Sequence, residues 1–180
     1  VPWAYDDEAV DVVRFFTKLK LSLTPYLYSS AVRTSRTGVP MMRSMVLEFE
    51  NDPVCQYLDR QYMLGDSLLV AVFDMNVTLP EGKWIDYWTG ETYEGGRNIE
   101  YKIPEGRGET VEGGVWRKEH HDYMSIPLWA RENTILQVNY GLKHAAESYK
   151  EGLELKVIGL KDQAETTVYE DQKEILQVSV

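Results

Sequence analysis

The 180-residue chain has one cysteine, Cys55. A lone thiol excludes an internal disulfide framework and fits a reducing compartment. Histidine is scarce as well, with 3 residues, and 19 basic side chains face 29 acidic ones for a formal net charge of -10. An acidic surface repels phosphate backbones and anionic lipid, so nucleic acid and membrane surfaces are poor partners. Long apolar runs are missing too. Ser67 to Phe73 is among the longest, far below the ~20 residues that cross a bilayer. The opening, Val1-Pro2-Trp3-Ala4-Tyr5-Asp6-Asp7, has no initiator methionine, basic region or apolar core. No signal peptide is therefore expected, and the expected location is cytoplasmic. A chain that begins in mid-phrase also reads as a piece of something longer.

Aromatic residues, in contrast, are plentiful: 5 Trp, 12 Tyr and 4 Phe. They suit a β-rich core or a sugar-binding surface equally well. Hydrophobic residues at 43% and charged residues at 27% are ordinary globular composition and argue against disorder.

Asp6-Asp7-Glu8 reads as a helix start, because carboxylates there meet the positive end of the helix dipole. Ala9, Val12, Val13, Phe16, Leu19 and Leu23 follow at helical spacing. Pro25 predicts a break near Ser22, with helix resuming over Tyr26 to Arg36 until Gly38 stops it. Val39 to Phe49 predicts a mostly buried strand carrying one basic residue, Arg43. Asp52-Pro53 predicts a capped short helix toward Leu58. Past Gly65 the period changes to two. Strands are predicted at Ser67 to Phe73, Val77 to Leu79, Lys83 to Trp88, Asn98 to Ile103 and Tyr123 to Ala130. Others follow at Thr134 to Val138, Leu153 to Leu160, Thr166 to Tyr169 and Ile175 to Val180. Turn signals between them point to an antiparallel sandwich. The Gly90 to Gly96 phrase, Gly-Glu-Thr-Tyr-Glu-Gly-Gly, is echoed at Gly108 to Gly114 and reads as a local duplication lengthening one hairpin.

Chemistry is harder to find. Glu119-His120-His121-Asp122 is the one dense group of metal-ligand types, but adjacent strand residues face opposite ways, so the two histidines cannot easily share an ion. No metal site is predicted. Cys55 lacks a base partner and reads as an inert small residue. No glycine-rich loop follows a strand and opens a helix, so a nucleotide cofactor is not expected, nor is any other. A glycosidase needs two carboxylates at a set separation. Glu48, Asp52, Asp59, Asp66 and Asp86 all sit where caps, turns or exposed strand faces would put them. Composition and spacing alone reveal no activity.

Several phrases together resemble glycoside hydrolase family 31, nearest its α-xylosidase branch. They are Pro2-Trp3, the stretch Asp7 to Lys20, Leu23-Thr24-Pro25-Tyr26-Leu27-Tyr28 and Thr37-Gly38-Val39-Pro40-Met41-Met42-Arg43. Leu47-Glu48-Phe49 and Gln61 to Ala71 follow, then Pro80-Glu81-Gly82-Lys83-Trp84 and Trp88-Thr89-Gly90-Glu91. His121 to Leu128 and Arg131 to Leu136 complete the set. The resemblance covers residues 2 to 138 in order, and residues 150 to 180 more loosely. It implies an α+β fragment: the last helix–strand–helix of a (β/α)8 barrel (residues 1–66), a proximal antiparallel β-sandwich (67–140) and the start of a distal β-domain (141–180).

It also implies a retaining α-glycosidase acting on α-xylosides or α-glucosides, with a carbohydrate substrate in the parent enzyme. The family's nucleophile and acid/base, both Asp, lie upstream of this chain's first helix, as do its sugar-gripping His and Arg. Hence no catalytic residue is assigned here, substrate-binding residues stay unassigned, and the chain alone is expected to be inactive. One departure is Val72-Phe73-Asp74-Met75-Asn76 where the family has Pro-Val and a longer turn, expected to shift the first hairpin's register. The alternative, from a different class, is a free-standing carbohydrate-binding sandwich whose Trp84, Trp88, Trp116 and Tyr87 stack on sugars. Against it stands the plainer role of these aromatics in the core. Without the preceding barrel strands, the stripe Val12, Phe16, Leu19 and Leu23 has too little to cover it, so self-association through residues 1 to 65 is expected.

Overall fold

The computed structural model describes residues 1–71, 76–100 and 124–180. A short 3-10 turn, Pro2–Ala4, precedes helix α1, Asp7–Ser22. Asp6 caps it as expected, its carboxylate accepting the Ala9 backbone N–H at 2.7 Å. Helix α2, Thr24–Thr37, follows directly, with Pro25 in its first turn and Gly38 closing it at φ 78°. Pro25 thus opens the second helix; the break falls at Leu23.

The segment after Gly38 departs from expectation. In place of a buried strand over 39–49, strand β1 covers only Met42–Ser44, and helix α3, Met45–Glu48, is a single turn. Strand β2, Gln61–Leu64, pairs antiparallel with β1, while β1 ends its sheet, with no strand on its other side among the described residues. The ladder with β2 ends at Ser44, and the single turn of α3 then satisfies the backbone locally. Only Arg43 and Met45 are buried here, whereas Met42 is 59% and Leu47 57% exposed. Beyond Asp52 the expected helix is a 3-10 turn at Cys55–Tyr57, with Asp52 accepting the Val54 N–H.

Strands β3 (Leu68–Ala71), β4 (Asn76–Leu79), β5 (Lys83–Asp86), β6 (Thr92–Glu94) and β7 (Arg97–Glu100) follow. Then come β8 (Leu128–Arg131), β9 (Thr134–Val138), β10 (Glu154–Ile158), β11 (Glu165–Glu170) and β12 (Lys173–Ser179). The main sheet has the order β1-β2-β3-β8-β5-β6, and β4-β7, β9-β10 and β11-β12 form two-stranded ladders, every pair antiparallel. The middle of the main sheet is buried on both faces. Leu68, Val70, Ile85, Leu128 and Ala130 point to a core closed by Leu23 and Tyr26 of the helices and by Leu136, Val138 and Ile158 of β9 and β10. Alternate residues Met63, Leu69, Ala71, Trp84 and Trp129 point the other way, to Met45, Cys55 and Val77 and Leu79 of β4. That is the alternation a covered sheet requires.

Polar ties fasten the layers. Gln61 exchanges two hydrogen bonds with the Thr78 backbone, donating at 2.7 Å and accepting at 3.0 Å. The buried Tyr26 hydroxyl donates to the Leu64 carbonyl and accepts the Ser67 N–H. Gly65, at φ +63°, lies so close that a Cβ there would run into this hydroxyl. Helix α2 holds the β11–β12 turn: Ser29 accepts the Tyr169 N–H, Tyr28 accepts the Gln172 N–H, and Arg36 lies 4.6 Å over the Tyr169 ring.

Each strand predicted past Gly65 has a counterpart among the described residues, but some are shorter than expected. The one predicted from Tyr123 begins only at Leu128, residues 124–127 being turn and irregular backbone, and the one predicted to Trp88 ends at Asp86. Two further strands were missed. Gln61–Leu64 is one and Thr92–Glu94 the other; each is too short for a period of two to stand out. The predicted stretch 101–103, Tyr123, the Gly108 echo and the hairpin shift at 72–75 lie outside the described residues. Among those described, no helix is long and apolar enough to cross a membrane.

Candidate functional site

Five charged side chains from separate elements meet where β1 joins the main sheet. Arg43, buried in β1, places Nη2 2.6 Å from Asp66 Oδ1 and 2.6 Å from the Gly65 carbonyl. Its Nε lies 3.0 Å from Glu48 Oε2. The second oxygen of Glu48 takes Arg131 Nη2 of β8 at 2.5 Å, and the second oxygen of Asp66 pairs with Arg33 of α2. Arg131 also stacks on aromatic faces, 4.9 Å over Phe49 and 5.7 Å over Trp84. The chain Arg33–Asp66–Arg43–Glu48–Arg131 therefore staples α2, β1, α3 and β8 together. Each carboxylate has both oxygens on guanidinium groups. The cluster is a fastener, and it carries no chemistry of its own.

The other candidates are committed in the same way. Asp86, buried at the end of β5, accepts the Trp88 and Thr89 N–H groups at 2.8 Å each and shapes the turn into β6. Asp59 is exposed. Cys55 is enclosed, and burial together with the adjacent Asp52 pushes its thiol up to about 12, which leaves it protonated and inert. Burial raises Tyr87 to about 12 as well, Tyr140 adding to it. Trp84 is 1% exposed, with its indole N–H on the Pro80 carbonyl. Trp88 is half-buried, donates to the Ile126 carbonyl at 2.7 Å and stacks on Phe15 of α1, ring centroids 5.8 Å apart. Trp84 is enclosed, and Tyr87 and Trp88, partly buried, pack against the sheet core. Trp116 and the Glu119-His120-His121-Asp122 group lie outside the described residues. Among the described residues no three His, Cys, Asp or Glu side chains gather as metal ligands.

Sequence reasoning noted Arg43, Glu48 and Asp66 separately and missed their union with Arg33 and Arg131. The one signal available was a basic residue inside an otherwise apolar stretch, which demands a carboxylate from elsewhere.

Comparison with known proteins fits this picture. Residues 38–136 match the Glycosyl hydrolase family 31 C-terminal domain. The chain is 37% identical over 162 residues to an α-xylosidase of Emericella nidulans, covering 90% of this chain and 20% of that protein. Among solved structures, a cycloalternan-forming enzyme from Listeria monocytogenes in complex with a pentasaccharide substrate superposes with a TM-score of 0.77 at 27% identity, over 96% of this chain and 16% of the other. A Flavobacterium johnsoniae GH31 dextranase complexed with glucose gives 0.74 at 27% identity, over 97% of this chain and 20% of the other. The chain thus spans about a fifth of the length of the relatives it matches.

Proposed function

The chain belongs to glycosyl hydrolase family 31, and we propose that it is the C-terminal portion of a retaining α-glycosidase that hydrolyses α-xylosides or α-glucosides. In such an enzyme one carboxylate attacks the anomeric carbon and another protonates the leaving oxygen. On this reading both stand in the part of the cytoplasmic parent that precedes this chain. The chain's share is support: residues 1–66 end the (β/α)8 barrel, 67–140 form the proximal sandwich and 141–180 begin a distal β-domain.

The observation that carries this reading is the exposure of Met42, Val46 and Leu47 on a segment pinned from behind by Arg43 and Met45. Three large apolar side chains beside a fully packed sheet call for a cover. Val13 of α1 is exposed too, while Leu19 and Leu23 pack onto the sheet core. The rest of a barrel would supply that cover. In its absence the same residues drive copies of the chain to associate.

Rescue by pieces tests this. The Emericella nidulans relative lacking its matching segment is co-expressed with this chain and assayed on nitrophenyl α-xyloside. Activity is expected only when both pieces are present, and Met42→Asp with Leu47→Asp should abolish it. Turnover by the purified chain alone would overturn the inactivity, and rescue undiminished by the two aspartates would overturn the docking role. Sedimentation of the chain should show species larger than a monomer that the same double substitution removes.

A further inference from the structure

The β11–β12 hairpin forms a ladder of its own, and its outer strand leans on little else. No residue of β12 is buried, and in β11 only Val168 is. Gln137 of β9 donates to Thr166 and Thr167 midway along β11. Most of the hairpin's polar ties to the rest of the chain gather at its tip, where two separate segments grip it.

Helix α2 supplies the first grip. Ser29 accepts the Tyr169 N–H at 3.1 Å and Tyr28 accepts the Gln172 N–H at 3.0 Å. Arg36 donates to the Gln172 carbonyl at 3.1 Å and to the Tyr169 hydroxyl at 3.2 Å, and lies over the Tyr169 ring. Residues 148–150, between β9 and β10, supply the second. The Tyr149 hydroxyl donates to the Tyr169 carbonyl. Glu170 accepts from the Ser148 hydroxyl and the Tyr149 N–H and pairs with Lys150.

The backbone held there is strained. Asp171 and Gln172 form the two-residue turn between Glu170 and Lys173 and stand at φ 50° and 63°. A turn with two left-handed residues favours Asn-Gly. Aspartate tolerates that region, whereas a glutamine there has no comparable ease. Just behind the tip the register slips: Val168 pairs with Leu176 and Tyr169 with Glu174, so Ile175 is left over. Strained backbone persists only where its surroundings overdetermine it. Here the two grips do so.

We propose that the β11–β12 hairpin is a flap, held shut by this clasp and opening as a unit while the main sheet stays folded. Closing forces Asp171 and Gln172 into the left-handed region. Opening releases them, because a two-stranded hairpin on its own is marginal in water. The strain therefore works against the clasp and keeps opening within thermal reach. Opening bares Val168 and the face of α2 that carries Ser29 and Tyr28. Since three gripping residues stand on α2, the flap closes only while that helix is in place, and the helical segment is thereby coupled to the C-terminal ladder.

Native-state hydrogen exchange of the full chain, read by NMR at each amide, tests this. The ladder amides of β11 and β12 should share one opening equilibrium, at least about tenfold more populated than that of β3 and β8. Arg36→Ala should make flap opening about fivefold more frequent and leave β3 and β8 unchanged. Gln172→Gly keeps the backbone N–H and carbonyl that α2 holds but removes the strain, so opening should become about threefold rarer. Arg36 and Gln172 are both exposed, so neither variant threatens the core. Exchange of the hairpin only together with the main sheet would overturn the flap. An unchanged ladder in Arg36→Ala would overturn the clasp, and opening unchanged or more frequent in Gln172→Gly would overturn the role of strain.

Discussion

Met42 and Met63 stand on neighbouring strands, β1 and β2, yet one is 59% exposed and the other fully buried. Leu47 and Leu69 make the same contrast, 57% against 0%. The residue types are alike; what differs is the number of layers around them. Residues 61–71 lie in a sheet covered on one face by two helices and the β9–β10 ladder, and on the other by α3 and the β4–β7 ladder. Met42, Val46 and Leu47 sit at the end of that sheet and stay exposed, while Arg43 and Met45 between them are buried. An apolar side chain is buried only where another layer arrives to meet it.

The sharpest way to break this comparison is to truncate matched residues. Leu69→Ala or Trp129→Ala, in the enclosed layer, should cost about 3–5 kcal/mol in urea unfolding. Leu47→Ala or Met42→Ala should stay within about 0.5 kcal/mol for the monomer. Equal costs in the two regions would mean that the exposed segment is covered after all. The fastener between the regions comes next. Arg43→Met leaves Glu48 with Arg131 alone and Asp66 with Arg33 alone, with an expected loss of about 2–3 kcal/mol. Arg33→Ala, at the half-exposed end of the same chain of charges, should cost under about 1 kcal/mol. Measured differences of the same size would show that burial does not grade this network.

Smaller again is the cap of α1. Asp6→Ala removes one side-chain acceptor at a solvent-facing helix start and should lower stability by about 1 kcal/mol, visible as reduced helicity more than as loss of the sheet. The smallest effect belongs to the β11–β12 end. Glu170 accepts from the Ser148 hydroxyl and pairs with Lys150 at 2.9 Å, which holds its carboxyl below the ordinary value of 4.5. The folded state thus binds that proton less readily than the unfolded chain. Its contribution is complete above the ordinary carboxylate value and is lost as pH falls through the lower folded value. Between neutral pH and about pH 3, the wild type should lose slightly more stability than Glu170→Gln. Parallel acid titrations of unfolding midpoint would check it, and coincident curves would remove Glu170 from the account.

By itself, the sequence determined what neighbours along the chain can decide. Asp6, Pro25 and Gly38 bound two helices because capping, a missing N–H and a left-handed turn are local matters. Alternation past Gly65 marked most strands for the same reason, and the ordered phrases from Pro2 to Leu136 marked the family. The tertiary structure alone decided the rest. Strand β8 inserts between β3 and β5, so that Leu68 meets Ala130 across the sheet, a pairing with no trace in local spacing. Arg43 looked like a polar interruption of a strand until Asp66, Glu48, Arg33 and Arg131 came to it from three other elements and a turn. The strand expected over 39–49 stops at Ser44, where its ladder with β2 ends, and only the folded sheet shows how short that pairing is.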